Sequence, residues 1–438
     1  MAARDGDWSA LWHNPAALTG SKPHMVVGSL FAFDDVNIRL KARPAGYDIA
    51  DTGASSPQIP SAYRQQPRAD TADIANTTDF VVGAVGSLGI EDLRIGVAAA
   101  LPMTRLGLQQ SHYADEREQY ASNRLHFELL GARAQHQVIL VGVAYRVLQR
   151  LSLGAAISVM PKGRAVSDVY LDDPTRQQAV RVVADNEQTG RVAPIFGIQL
   201  QATDGLRLGA GWRAANYFQL DVINRIQIKG FQGDARSFPI KQNVQFALNY
   251  TPETLAIGAQ QRLGPASLAV EAVWSRWSAY IDTQGEKPRD WLDTISVRVG
   301  GDYAAAEGRT LRAGLQWEPS PVPPQTGRSN YVDNDRAVLA LGGSHRISLL
   351  NQPVELGWAL GVHHLLARDT NKAASASHPP CTAAANTLCD EVPDTTKNPA
   401  TGQPAATAQG LQTGNPGFPG YASGGNLLSL AVDLKWEF

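Results

Sequence analysis

The sequence predicts an all-β fold, a transmembrane antiparallel β-barrel of fourteen strands. Three observations predict it. First, in the C-terminal run Leu428, Leu430, Val432, Leu434, Trp436 and Phe438 fall on one face of a strand, whereas Ser429, Ala431, Asp433, Lys435 and Glu437 fall on the other. Side chains alternate along a strand, so one face meets an apolar medium and the other a wet one. Second, the same pattern recurs along the chain. Third, the connections alternate between short turns and long polar segments, as in a barrel planted in a membrane.

In chain order the strands are read at 26–40, 80–90, 93–101, 137–145, 151–159, 194–201, 206–213, 254–262, 268–277, 295–299, 311–317, 336–348, 354–362 and 428–438. Leu206 to Arg213 sets Arg207 and Arg213 opposite Leu206, Leu208 and Trp212; Arg298 and Arg312 are set against apolar neighbours in the same way. In the 354–362 strand Glu355 falls among small residues, opposite Leu356, Trp358 and Leu360. The turns at 88–93, 147–150, 202–205, 263–265, 304–309 and 349–353 are short. The segments at about 41–78, 104–133, 165–190, 220–250, 282–290, 319–334 and 369–424 are long and polar, and are read as outer loops. An even strand count returns both termini to one side.

Composition agrees. The chain has 438 residues with 40 glycines, 4 methionines and a net charge of −2. No boundary divides it by composition, and no run is long and apolar enough for a helical span. The charge balance carries no nucleic-acid footprint. No Gly-rich phosphate loop and no metal-spaced cluster is present, so neither cofactor nor metal is expected. The N-terminal residues Met1 to Asp7 contain no apolar signal core; for an outer-membrane protein, a leader removed or missed at the gene start is expected. Cys381 and Cys389, eight residues apart in the last outer segment, favour a disulfide over two separate thiols.

Specific motifs sharpen the reading. Asp7-Trp8-Ser9-Ala10-Leu11-Trp12-His13-Asn14-Pro15-Ala16-Ala17-Leu18 precedes the first strand. Far downstream come Ser320-Pro321-Val322-Pro323 and Asp333-Asn334-Asp335-Arg336, the latter opening a strand, and between them in sequence Trp274-Ser-Arg-Trp277-Ser278 and Gly211-Trp212-Arg213. In order and spacing these resemble the FadL family of outer-membrane channels for long-chain fatty acids and, in some members, aromatic hydrocarbons. The resemblance implies a fourteen-stranded barrel plugged by a hatch that holds Asn14, Pro15 and Ala16, with residues 1–24 as hatch and 25–438 as barrel. It also implies a kinked third strand that opens the wall sideways. Gly96, Ala98, Ala99, Ala100, Leu101 and Pro102 are the candidates for that opening, because Pro102 cannot donate to a ladder and the small residues leave little bulk; the competing reading is that Pro102 merely ends the strand. Only thirteen residues precede Asn14, fewer than in the family, which implies a short or truncated hatch.

Function follows as an expectation. A lipophile partitions downhill into an apolar pocket, so passive uptake needs no energy source. Capture is expected in the third-strand loop at Leu106, Leu108, Tyr113, Tyr120 and Phe127, apolar residues in a charged stretch. Arg94, Arg207, Arg213, Arg298 and Arg312 face the lumen, where they either receive a carboxylate head group or pair with acids such as Glu271, Glu355 and Asp433. The expected partners are a hydrophobic small molecule and outer-membrane lipid and lipopolysaccharide, with a monomeric barrel and no nucleic acid. A lipid hydrolase is a rival reading on His363-His364, but adjacent residues face opposite sides of the wall and no serine motif accompanies them. A general diffusion porin is a second rival, which a hatch would obstruct.

Overall fold

The computed structural model describes residues 1–4, 6–41, 69–71, 77–103, 111–113, 124–126, 138–160, 162–173, 178–229, 237–282, 285–326, 331–373 and 419–438. Fourteen antiparallel strands close into one barrel. They are β1 His24–Leu40, β2 Thr77–Gly86, β3 Leu93–Pro102, β4 Val138–Leu148, β5 Leu151–Met160, β6 Arg191–Gln201 and β7 Leu206–Arg213, followed by β8 Glu253–Leu263, β9 Ala266–Arg276, β10 Thr294–Ala306, β11 Arg309–Glu318, β12 Arg336–Leu349, β13 Gln352–Asn371 and β14 Gly420–Glu437. Each pairs with its sequence neighbours, and β1 closes the ring by pairing with β14 from His24↔Glu437 to Leu40↔Tyr421 and with β2 from His24↔Val85 to Ala32↔Thr77.

The alternation read from the sequence sets the register. Val97, Val141 and Ile157 form one outward row across β3, β4 and β5, and all three are exposed, as are Val270, Leu315, Trp358 and Leu428 further round. Such a belt of exposed apolar side chains is stable only against hydrocarbon. On the opposite face of β14, Lys435 bridges Glu355 on β13 at 2.9 Å and Glu437 at 3.4 Å, so the closing strand's charges stiffen the lumen. Phe438 stays at the short-turn rim, its backbone N–H bonded to Pro23 O at 3.2 Å.

Two expectations need revision. The segments at 165–190 and 220–250, read as polar loops, carry a four-stranded antiparallel sheet of Gly163–Asp173, Gln178–Thr189, Asn216–Lys229 and Ser237–Thr251 beyond β5 to β8. Their charges misled the reading because they pair across strands: Arg164 with Asp185 at 2.7 Å and Arg181 with Asp168 at 2.6 Å. The segment at 319–334 is not a solvent loop either, since Val322, Gln325, Val332, Asp333 and Asn334 are buried. The strands also run past their sequence limits, β13 to Asn371 and β14 from Gly420, where small and polar residues hide the alternation.

Candidate functional site

The hatch is built from a short helix, Ala10–His13, and a 3-10 turn, Pro15–Gly20. Asn14 joins them. Its extended backbone ends the helix, its side-chain Oδ1 accepts from Ala16 N at 3.2 Å, and Pro15 supplies a preset φ at the first position of the turn. The same side chain donates from Nδ2 to Ala2 O at 2.6 Å and to Ile198 O on β6 at 3.0 Å. One amide therefore folds the hatch and ties it to the wall. Asn14→Ala removes both donations that tie the hatch down, one of them to the buried Ala2 carbonyl, so amides of residues 10–20 are expected to exchange with solvent at least about tenfold faster while barrel strands keep their protection. Unchanged exchange would place the anchor elsewhere.

Packing is one-sided. Leu11 and Leu18, both fully buried, sit with Ala10 and Ala17 against Val85, Ala98, Leu140, Ala144, Ala156 and Ile195, lumen-facing residues of β2 to β6. The wall makes room through glycines: Gly96 and Gly142 pair across β3 and β4 beneath Leu11, and Gly154, Gly197 and Gly211 pair across β5, β6 and β7 beneath Pro15, Asn14 and His13. A Cβ at Gly154 would overlap Ala16 N and Pro15 C, and one at Gly197 would overlap Asn14 Oδ1. Polar ties complete the seat. Arg94 Nε donates to Ser21 O at 2.8 Å, Arg146 Nη2 to Thr19 O at 3.2 Å, and Thr19 Oγ1 to Ser152 Oγ at 2.8 Å. The backbone N–H of Ala2 donates to Glu271, which also holds Arg298 at 3.0 Å.

The far side of the lumen stays wet. A polar space of about 910 Å³ runs from Met1, Arg4 and Asp7 past Arg312, Glu355 and Asp433 to the turn at Gly264 and Pro265. Above the hatch lies a second cavity of about 330 Å³, bounded by Trp12, His13, Arg213, Arg298, Ala256, Val273, Tyr250 and Trp277. The guanidinium of Arg213 lies 3.8 Å over the Trp12 ring, and its buried Nε has no hydrogen-bond partner. Burial, then Arg298 and Arg213, hold the His13 imidazole well below its ordinary range, so it is neutral at pH 7. Burial also pushes the Tyr250 phenol up to about 12.

Tyr250 and Trp277 bring an aromatic cluster to this cavity. Tyr250, Trp277, Tyr280, Trp291 and Tyr331 pack with Val322; Tyr280 and Trp291 stack at 4.0 Å, and Tyr331 meets Trp291 edge-on at 5.2 Å. The Ser320–Pro323 motif is the loop that carries part of it. Ser320 N donates to Asp335 Oδ1 at 2.8 Å, Arg336 bridges Asp333 at 3.3 Å, and Arg368 of β13 clamps the loop through Ser320 Oγ at 3.2 Å and Val322 O at 2.8 Å.

The sequence-picked residues therefore separate into groups. Asn14, Pro15, Ala16, Gly96 and Ala98 come together at the hatch seat. Across 93–102 the β3 ladder is continuous with both neighbours, from Asp79↔Pro102 to Gly86↔Ile95 and from Leu93↔Tyr145 to Ala100↔Val138. Of the arginines, Arg213 and Arg298 line the cavity; Arg94 holds the hatch, Arg207 bonds Gln201 at 3.1 Å and Gln260 at 3.2 Å, and Arg312 lines the wet space. Glu355 takes Lys435 rather than an arginine. His363 and His364 face opposite sides, with His364 bonded to Asn426 at 2.9 Å. Tyr113 lies on a short strand, Ser111–Tyr113, paired with Arg124–His126; Leu106, Leu108, Tyr120, Phe127, Cys381 and Cys389 lie outside the described residues. Arg368, Tyr331, Trp291 and the seat glycines Gly142, Gly154 and Gly197 escaped sequence reading.

Comparison with known proteins places this geometry. The family described as outer membrane protein transport protein (OMPP1/FadL/TodX) matches residues 1–383. A long-chain fatty acid transport protein of Salmonella typhi is 25% identical over 197 residues, covering 36% of this chain and 45% of that protein, so the match spans less than half of the curated relative's length. Among solved structures, a Pseudomonas aeruginosa FadL homologue superposes with a TM-score of 0.62 at 14% identity, covering 100% of this chain and 95% of that one. The P. putida toluene transporter TodX gives 0.55 at 13%, covering 100% and 96%, and the Ralstonia pickettii toluene transporter TbuX 0.51 at 13%, covering 100% and 95%. These structures share the fold. With a plugged fourteen-strand barrel, a lipid-facing belt and a family match across most of its length, the chain belongs to the OMPP1/FadL/TodX family of outer-membrane proteins.

Proposed function

We propose that the protein admits hydrophobic small molecules, long-chain fatty acids or aromatic hydrocarbons, across the outer membrane by passive uptake. The observation that carries this reading is the cavity of about 330 Å³ held between the hatch and the aromatic cluster, at the lower end of ligand-sized sites. Its walls supply rings for an apolar body, and Arg213 supplies a guanidinium with an unfilled donor at one end. Capture from outside is assigned to the 104–133 segment on its apolar residues. Release is assigned sideways through β3 at Gly96 to Pro102. Gly96 and Ala98 support this, because once Leu11 and Leu18 withdraw they leave little bulk on the inner wall.

The test uses purified protein in proteoliposomes with radiolabelled palmitate and an alkylbenzene as separate probes. Arg213→Gln removes one charge-assisted hydrogen bond, and palmitate affinity is expected to fall about tenfold or more while the alkylbenzene is unaffected. Equal loss for both probes would deny Arg213 a head-group role, and absence of protein-dependent uptake of either would sink the transport reading. Planar-bilayer conductance separates it from a porin, because a seated hatch should pass little current.

A further inference from the structure

Among the described residues, the barrel ladder is irregular at three places. Two, at Arg146/Leu148 and Ala304/Ala306, adjoin short hairpin turns. The third lies well away from one: Leu365 pairs with Gly425 and Arg368 with Ser423, so that Leu366 and Ala367 of β13 face the single residue Gly424 of β14. This bulge sits just above the lipid belt, where Val362 and Leu428 are the last outward apolar pair.

The break is closed from inside by a loop rather than by the strands themselves. Asn334 Nδ2 donates to Leu366 O on β13 at 2.8 Å and to Ser423 O on β14 at 3.1 Å, and Leu366 N donates to Asp335 O at 2.9 Å. The closure is imperfect. Asp333 Oδ2, Asn334 Oδ1 and Ser423 Oγ are buried there with no hydrogen-bond partner, which penalises the closed arrangement and would be relieved by water if the seam opened. The β14 side is thin, with Gly424 beside Ala367 and Gly425 at φ +140°, a conformation that side chains rarely adopt.

The same loop reaches the aromatic cluster. Tyr331, three residues before Asn334, packs edge-on against Trp291 and Tyr280, and its carbonyl accepts from the Tyr421 hydroxyl of β14 at 2.9 Å. Tyr331 thereby joins the ring cluster to the loop that closes the wall.

We propose that the β13–β14 bulge is a second lateral exit, latched by Asn334, through which an apolar compound passes from the aromatic cluster to the outer leaflet. This rests on the transport reading above and is separate from release at β3.

The experiment uses the full chain in proteoliposomes, with Cys381 and Cys389 replaced by serine, and two diazirine probes, a C16 fatty acid and an alkylbenzene, mapped by mass spectrometry. Label is expected on 365–368 and 421–425, rising about fivefold in Asn334→Ala and Asn334→Asp, the population shift that losing one net hydrogen bond produces. A disulfide between Asp369→Cys and Ala422→Cys, directly paired above the bulge, should suppress that label when oxidised and restore it when reduced. The reversible arm reads one folded protein in two states, so it stands even if the Asn334 variants fold poorly. Label confined to 93–102 and indifferent to the latch and the disulfide would overturn the second exit while leaving transport intact. No barrel label with either probe, in protein that also shows no uptake, would overturn both.

Discussion

Gly154→Leu is expected to lift the hatch and turn a plugged barrel into an ion-conducting one. Gly154 faces the lumen on β5 directly under Pro15 and Ala16, and any Cβ there overlaps hatch backbone. A rotamer change cannot relieve a clash between backbone atoms and a Cβ, so the hatch must move. Overpacking of this kind costs about 1–3 kcal/mol or more. The hatch is held by two fully buried leucines, at about 1.5–3 kcal/mol each, and by hydrogen bonds of Asn14, Arg94, Arg146 and Thr19, so lifting it takes a clash beyond that range, which overlap of a Cβ with two backbone atoms supplies. The barrel itself should survive, because its ladders do not involve the hatch. Single-channel conductance should therefore rise from near closure to that of an open channel, with unchanged heat-modifiable migration of the folded barrel in gels. Closed, stable channels in Gly154→Leu would mean that the hatch can dock in a second way.

Glu271→Ala is expected to destabilise the folded protein by about 3–5 kcal/mol, the usual consequence of removing one member of a buried ion pair. Glu271 is 1% exposed and accepts from Ala2 N–H and from Arg298 Nη1 at 3.0 Å. Without it Arg298 keeps only Gln316 Oε1, at 3.1 Å, and the Ala2 amide has no acceptor. Adding Arg298→Leu should recover part of the loss, because the uncompensated charge goes with it. Denaturant midpoints in lipid vesicles measure both. A change below about 1 kcal/mol in the single variant would show that water reaches the pair and screens it.

How far the sequence alone carries is visible in particular residues. All fourteen strands were legible because lipid on one side and water on the other force a period-two pattern, clearest where both media are present, as in Leu428 to Trp436. The pattern fades above the lipid belt. There the outer sheet, with Arg164 bridged to Asp185 and Arg181 to Asp168, looked like loop because a charge next to a charge along the chain says nothing about a partner on another strand. The Asn-Pro-Ala motif was legible as a hatch, but its seat was not. Gly96, Gly142, Gly154 and Gly197 are the single glycines of four strands and Gly211 is one of two on β7, and only register brings them together.

The small residues of β3 show the same divide. From sequence they read as a thin place in the wall; in the structure Gly96 and Ala98 are small because Leu11 and Leu18 lie against them. The arginines likewise faced the lumen as read, yet which of them meets a cavity depended on height and neighbours: Arg94 is spent on Ser21, whereas Arg213 reaches Trp12. Sequence by itself determined the barrel, because it follows from local alternation and loop length; the plug followed from the family resemblance that the Asn14-Pro15-Ala16 motif carries. Only the tertiary structure decided where the hatch docks, which arginine lines the cavity and where Asn334 closes the wall, because each depends on residues about 30 to 270 positions apart in sequence meeting across the lumen or the seam.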